Sequence, residues 1–164
     1  MNHNDILRGV RYMLDLSEPQ LAAIFDLGGM KVTLDKVALW LLKEDEADFT
    51  PCPDLPMAHF LNGLVIYRRG RDDTRPPQQI ESSVTNNIVL KKLRVAFELK
   101  EEDMHAVLKL AGFEVSRPEL SALFRKEGQK NYRACGDQLL RNFMRGLTQW
   151  VRNQPQAAAR PAED

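Results

Sequence analysis

Apolar residues recur at three- and four-residue spacing along most of the chain, a period that predicts helices rather than strands. Ile6, Leu7, Val10, Met13 and Leu14 make one stripe, and Leu21, Ile24, Phe25 and Leu27 make a second. A third helix is predicted from Thr33 through Val37, Trp40 and Leu41, and a fourth from Asp54 through Met57, Phe60, Leu61, Leu64 and Tyr67. The same four stripes then return. Val89, Leu90, Leu93, Ala96 and Phe97 correspond to the first, and Met104, Val107, Leu108 and Leu110 to the second. Leu120, Leu123 and Phe124 follow as the third, and Leu140, Phe143, Met144, Leu147 and Trp150 as the fourth.

A shift of 83 positions lays residues 4–70 on 87–153 without a gap, and seventeen of the 67 pairs are identical. Unrelated chains of such composition match at about four. Identical pairs include Asn4/Asn87, Arg11/Arg94, Glu18/Glu101, Gly29/Gly112, Lys43/Lys126, Cys52/Cys135, Asp54/Asp137, Gly63/Gly146 and Arg69/Arg152. The chain therefore reads as all-α, with two tandem pseudo-repeats of about four helices each. Residues 1–70 and 87–153 are the repeats, and 71–86, with paired prolines among polar residues, read as an extended linker. Residues 154–164 lack apolar periodicity and read as a disordered tail.

Punctuation residues sharpen the helix ends. Ser17 with Gln20 and Ser116 with Glu119 have capping-box spacing, and Gly29 and Gly112 suit the left-handed turn that ends a helix. Asn4 and Asn87 read as caps of the first helix of each repeat, and Asp54 and Asp137 as caps of the fourth. Glu18 and Glu101 fall in a first turn, where a carboxylate suits the helix dipole. Arg11 and Arg94 are expected to bridge either to Asp54 and Asp137 or to a carbonyl at a helix end. Gly63 and Gly146 lie inside a helix, where glycine costs about 1 kcal/mol relative to alanine. Their recurrence predicts a close helix crossing.

With the two copies in view, "LGGMKVT" and "LAGFEVS" both lead into "KE", followed by "DFTPCPDLPMAHFLNGL" in one repeat and "NYRACGDQLLRNFMRGL" in the other. In this the chain resembles the YehS-like family of small bacterial proteins, over about 67 residues of each repeat. The resemblance implies a bacterial, cytosolic, tandem all-α protein and brings no activity, substrate or cofactor with it.

Charge separates the copies. The chain of 164 residues carries 23 basic and 23 acidic side chains, yet repeat one is net −3 and repeat two net +5. Zero overall charge argues against wholesale nucleic-acid binding while allowing a basic patch on one half. Arg141, Arg145 and Arg152 share one face of the last helix with Thr148, and Arg125, Lys126, Lys130 and Arg133 precede it, with Tyr132 as a candidate stacking ring. Three readings stand for these seven cations. They form a solvated face, they dock on acidic groups such as the "KEDEAD" run of Lys43–Asp48, within a chain or between chains, or they hold a phosphate backbone.

Each repeat also contains a helix-turn-helix-like segment, in which a glycine turn leads to a helix opening on Thr33 or Ser116. A reading helix presents polar or basic groups to the major groove, whereas these open on Asp35 or on Pro118 and Glu119. A packed core helix is the alternative.

Catalysis finds little support. His3, His59 and His105 do not recur between the copies, and no metal-binding spacing joins them to Cys52 or Cys135. The cysteines read as small buried residues, with an activated thiol as the alternative. Asp45 and Glu46 are adjacent and point apart on a helix, so they make a poor acid/base pair. No cofactor, metal or small-molecule substrate is expected. The chain contains no apolar run long enough to cross a bilayer and no leader pattern at its start, and the expected location is the cytoplasm. The sequence points to a binding protein that acts through protein contacts or self-association, with DNA or RNA binding through repeat two as the alternative.

Overall fold

The computed structural model describes residues 1–153; the tail expected at 154–164 lies outside them. Eight helices follow in order: α1 (His3–Leu14), α2 (Glu18–Leu27), α3 (Leu34–Trp40), α4 (Asp54–Arg69), α5 (Asn86–Ala96), α6 (Glu101–Leu110), α7 (Arg117–Leu123) and α8 (Asp137–Arg152). No strand occurs among the described residues. The chain divides into two compact units, the first Met1–Val84 and the second opening at Thr85. Each has its own apolar interior, so the duplication is one of folds as well as of sequence.

In the first unit, α1 buries Ile6, Leu7, Val10, Met13 and Leu14, the stripe its periodicity predicts. The same unit also buries Leu21, Ile24 and Phe25 of α2, Val37 and Trp40 of α3, and Met57, Phe60, Leu61 and Leu64 of α4. The Phe25 ring packs on Phe60 and Trp40, with centroids 5.0 and 5.7 Å apart. The second unit repeats the scheme with Val89, Leu90 and Leu93, Met104, Val107 and Leu108, Leu120 and Leu123, and Leu140, Phe143 and Leu147.

The closest packing within each unit joins its second and fourth helices. A methyl group built on Gly63 would stand 1.8 Å from the Ile24 carbonyl oxygen, and one on Gly146 would stand 2.0 Å from that of Val107. Two helix backbones touch there, which is the crossing the recurring glycines predict. Gly29 and Gly112, at φ +99 and +74, end the second helix of each unit in the left-handed region.

Capping follows the sequence at Ser17 with Gln20 and at Ser116 with Glu119, and departs from it elsewhere. Asn4 and Asn87 do not cap: Asn2 caps α1 and Thr85 caps α5. Asp54 and Asp137 are not caps either. Pro53 and Gly136 occupy that position, and each Asp is the first helical residue. Their carboxylates turn outward from the helix: Asp54 Oδ1 lies 2.6 Å from His3 Nε2, and Asp137 Oδ1 accepts from Asn86 Nδ2 at 2.8 Å. His3 and Asn86 are themselves an aligned pair, so one contact persists with different chemistry.

Of the two bridges expected for Arg11 and Arg94, the carbonyl form is present. Nε of Arg11 donates to Leu16 O (3.2 Å) and that of Arg94 to Leu99 O (3.0 Å). Each bond spans a residue held in the left-handed region, Asp15 at φ 55 and Glu98 at φ 54. An ordinary side chain pays about 1 kcal/mol for that conformation, and the arginine bond across the turn offsets it. Arg94 also stacks 4.7 Å from the Phe124 ring centroid.

The linker is less separate than its composition suggests. Residues 71–83 are exposed, but Val84 is buried and the Gln79 carbonyl accepts from Asn62 Nδ2 of α4 at 3.3 Å. Its last expected residue, Asn86, already belongs to α5.

Candidate interaction surface

Within each unit the third and fourth helices are joined by an exposed loop, and one asparagine, buried at Asn4 and half-buried at Asn87, cinches it. Asn4 Nδ2 donates to Leu42 O (3.2 Å) and Thr50 O (3.0 Å), while its Oδ1 accepts from the Cys52 backbone N–H (2.8 Å). Asn87 does the same with Leu123 O (3.0 Å), Arg133 O (2.9 Å) and the Cys135 N–H (2.8 Å). Only an amide supplies two donors and an acceptor at once. The partner groups have no helix or sheet to satisfy them, which is why the amide recurs in both copies. The recurrence of Asn4 together with Cys52, and of Asn87 with Cys135, was the available signal for this clamp.

Inside the clamp both loops make two turns closed by corresponding hydrogen bonds, although Gly128 (φ +91) and Asn131 (φ +66) are left-handed and the aligned Asp45 and Asp48 are not. The Glu46 N–H bonds to Lys43 O (3.0 Å) and the Phe49 N–H to Glu46 O (3.1 Å), as the Gln129 N–H does to Lys126 O (3.0 Å) and the Tyr132 N–H to Gln129 O (3.1 Å). In each, the side chain at the fourth position returns to the first. Glu46 Oε2 accepts from the Lys43 N–H (2.6 Å) and Gln129 Oε1 from the Lys126 N–H (3.1 Å).

The charges hung on this shared frame are opposite. From 42 to 50 the first loop has Glu44, Asp45, Glu46 and Asp48 against Lys43, a net of −3. From 125 to 133 the second has Arg125, Lys126, Lys130 and Arg133 against Glu127, a net of +3. All seven expected cations are exposed. Arg125, Lys126, Lys130 and Arg133 lie on the loop, and Arg141, Arg145 and Arg152 lie along α8. Arg133 and Arg145 are among those engaged. Arg133 Nη1 bonds to Glu119 Oε2 at 2.8 Å, and Arg145 Nη2 reaches Asn142 Oδ1 (2.8 Å) and Ala111 O (3.3 Å), the carbonyl just past the end of α6. A cation there complements the negative end of the helix dipole. Arg125, Lys126 and Lys130 have no side-chain partner among the described residues.

The helix-turn-helix-like segments present short seven-residue helices. Their inner faces are Val37 with Trp40 and Leu120 with Leu123, all buried. Their exposed first turns carry Asp35 and Glu119, and Glu119 is held by the Ser116 N–H and Arg133. Hydrogen bonds from the Ser116 backbone and then from Arg133 lower its pKa to about 2.

Both cysteines are buried and reduced. Burial, with the Asp54 charge adding to it, pushes the Cys52 thiol up to about 12. Burial and the Asp137 charge, partly opposed by Arg133, push Cys135 up to about 11. A helix N-terminus thus fails to activate either one. Among the histidines, His59 Nδ1 meets Gly28 O at 2.7 Å, His3 meets Asp54, and His105 Nε2 is buried without a partner among the described residues. No group of three His, Cys, Asp or Glu among the described residues is placed to hold a metal ion. No helix there is long and apolar enough to cross a membrane.

Two copies of a four-helix unit, each closed by an asparagine clamp, define a tandem all-α protein, and the chain belongs to the family described as "Protein of unknown function (DUF1456)", whose domain matches residues 3–70 and again 86–153. The chain is 49% identical over 147 residues to the "Uncharacterized protein YehS" of Escherichia coli (strain K12), covering 90% of this chain and 94% of that protein. No solved structure matches it.

Proposed function

We propose that this is a non-catalytic binding protein that acts through protein contacts, with the basic loop of the second unit as its principal surface. One observation carries the reading. Asn4 and Asn87, Arg11 and Arg94, and Asp54 and Asp137, which recur in both units, are engaged within their own units. On the basic loop Arg125, Lys126 and Lys130 are exposed and have no side-chain partner among the described residues. Exposed lysines and arginines without partners are strongly hydrated, so holding them together gains little until an anionic surface arrives. Catalysis has no such support, because the thiols are raised and the histidines are dispersed.

Nucleic acid is the second reading, favoured by the half-buried Tyr132 ring among those same cations. Affinity capture with the full chain and with Lys126→Glu/Lys130→Glu tests the first. Partners retained by the parent and lost by the variant support it, and an unchanged set of partners refutes it. A fluorescent DNA and RNA panel at low and high salt tests the second, since phosphate contacts make affinity fall steeply as salt rises.

A further inference from the structure

From the two loops we infer that the basic loop of one chain docks on the acidic loop of a second copy, so that the protein associates with itself head to tail. The inference rests on the binding reading above and names the partner.

Three observations converge on a second copy. The loops are of equal length and share their turn-closing hydrogen bonds and their clamp, so both present their charges between matched anchor points. Their net charges are equal and opposite, and the charged side chains without a partner among the described residues are Asp45 and Asp48 with Lys43 on one loop, and Arg125, Lys126 and Lys130 with Glu127 on the other, so each loop keeps an excess of its own sign. Each chain carries one loop of each sign, so two chains satisfy both loops reciprocally and a longer chain of copies satisfies all but its ends. A net charge of zero, with an isoelectric point near 6.8, leaves no long-range repulsion between copies at neutral pH. The aligned positions divide the work: Ala47 faces Lys130 in the alignment, Asp45 faces Gly128, and Asp48 faces Asn131. Charge is present in one copy where it is missing from the other, which sets each loop against its own kind as well as toward its opposite.

Sedimentation equilibrium of the full chain reads the mass directly against 18.8 kDa for one chain. The expected result is association that weakens by about tenfold or more between about 0.1 M salt, where the Debye length is about 10 Å, and about 1 M, where it is about 3 Å. Asp45→Lys/Asp48→Lys makes both loops basic, and Lys126→Glu/Lys130→Glu makes both acidic. Each variant alone is expected at the mass of one chain, an equimolar mixture is expected to associate, and the four changes together in one chain are expected to restore self-association. Circular dichroism establishes that each variant is folded, since every substituted side chain is exposed and outside the clamp. Parent protein at the mass of one chain in both salts overturns the inference, as does a mixture that gains nothing over its components. If the parent stays single but loses a different captured protein on Lys126→Glu/Lys130→Glu, this inference falls while the binding reading stands. Oligonucleotide binding lost in that variant, without self-association, assigns the loop to nucleic acid instead.

Discussion

Replacing Asn4 by Ala removes three hydrogen bonds from a side chain that is fully buried. At about 1 kcal/mol net for each bond, the loss is about 3 kcal/mol. The partners then differ in what they keep. Leu42 O retains Arg8 Nη1 at 2.8 Å, whereas the N–H of the buried Cys52 has no other acceptor, which adds about 1 to 2 kcal/mol. The total, about 4 to 5 kcal/mol, corresponds to a fall in Tm of at least about 16 °C for a unit of this size. Asn4→Asp is the informative companion. It keeps an acceptor for Cys52 but sets a carboxylate oxygen against the carbonyls of Leu42 and Thr50, so it is expected to destabilise as much as Ala despite its matching shape. Urea and thermal unfolding measure the loss, and hydrogen exchange at the Cys52 amide locates it. A cost below about 1 kcal/mol for Asn4→Ala, or ready tolerance of Asp, would refute the clamp.

Gly146→Ala gains about 1 kcal/mol of helix propensity but drives a methyl to 2.0 Å from Val107 O; separation of α6 and α8 is expected to win, with a net loss of about 1 to 3 kcal/mol on unfolding. Cys52 and Cys135 should react with a disulfide reagent at pH 8 about a hundredfold or more slowly than in the unfolded chain, because their raised pKa values and burial suppress the thiolate; fast labelling of folded protein would contradict that environment. Folding lowers the Glu119 pKa from an ordinary 4.5 to about 2, so its contribution is fully present above about 4.5 and is lost as pH falls toward 2. Glu119→Gln, which keeps the capping acceptor, should therefore lower Tm at pH 7 and converge with the parent by about pH 2; a gap that stays constant across this window would sink the assignment.

Periodicity and turn chemistry made the eight helices and their inner faces legible, because both are local properties. Gly63 and Gly146 even reported a long-range fact, since a costly residue kept twice inside a helix needs a reason outside it. Asn4 and Asn87 misled for the opposite reason. An asparagine near a helix start has the composition of a cap, and only the return of the chain at Cys52 and Cys135 reveals the clamp. Asp54 and Asp137 fell one position from the true cap, at the first helical residue, where their carboxylates meet His3 and Asn86 instead of the helix backbone. The basic residues could be named from charge alone, but the engagement of Arg133 by Glu119 and of Arg145 by Ala111 depends on neighbours from other helices.

Because the asparagine grips main-chain atoms at the mouth of the loop, the shape of that loop depends little on what it displays. Positions 45, 47, 48 and 130 take no part in the grip or the turn closures, so substitutions there change the surface without loosening the interior, whereas Gly128 and Asn131 hold left-handed turns. A single molecule thus holds two mounts gripped in the same way, and altering what one presents leaves the other undisturbed. Grafted binding sequences should be tolerated at the first mount, and at the second where Gly128 and Asn131 are kept.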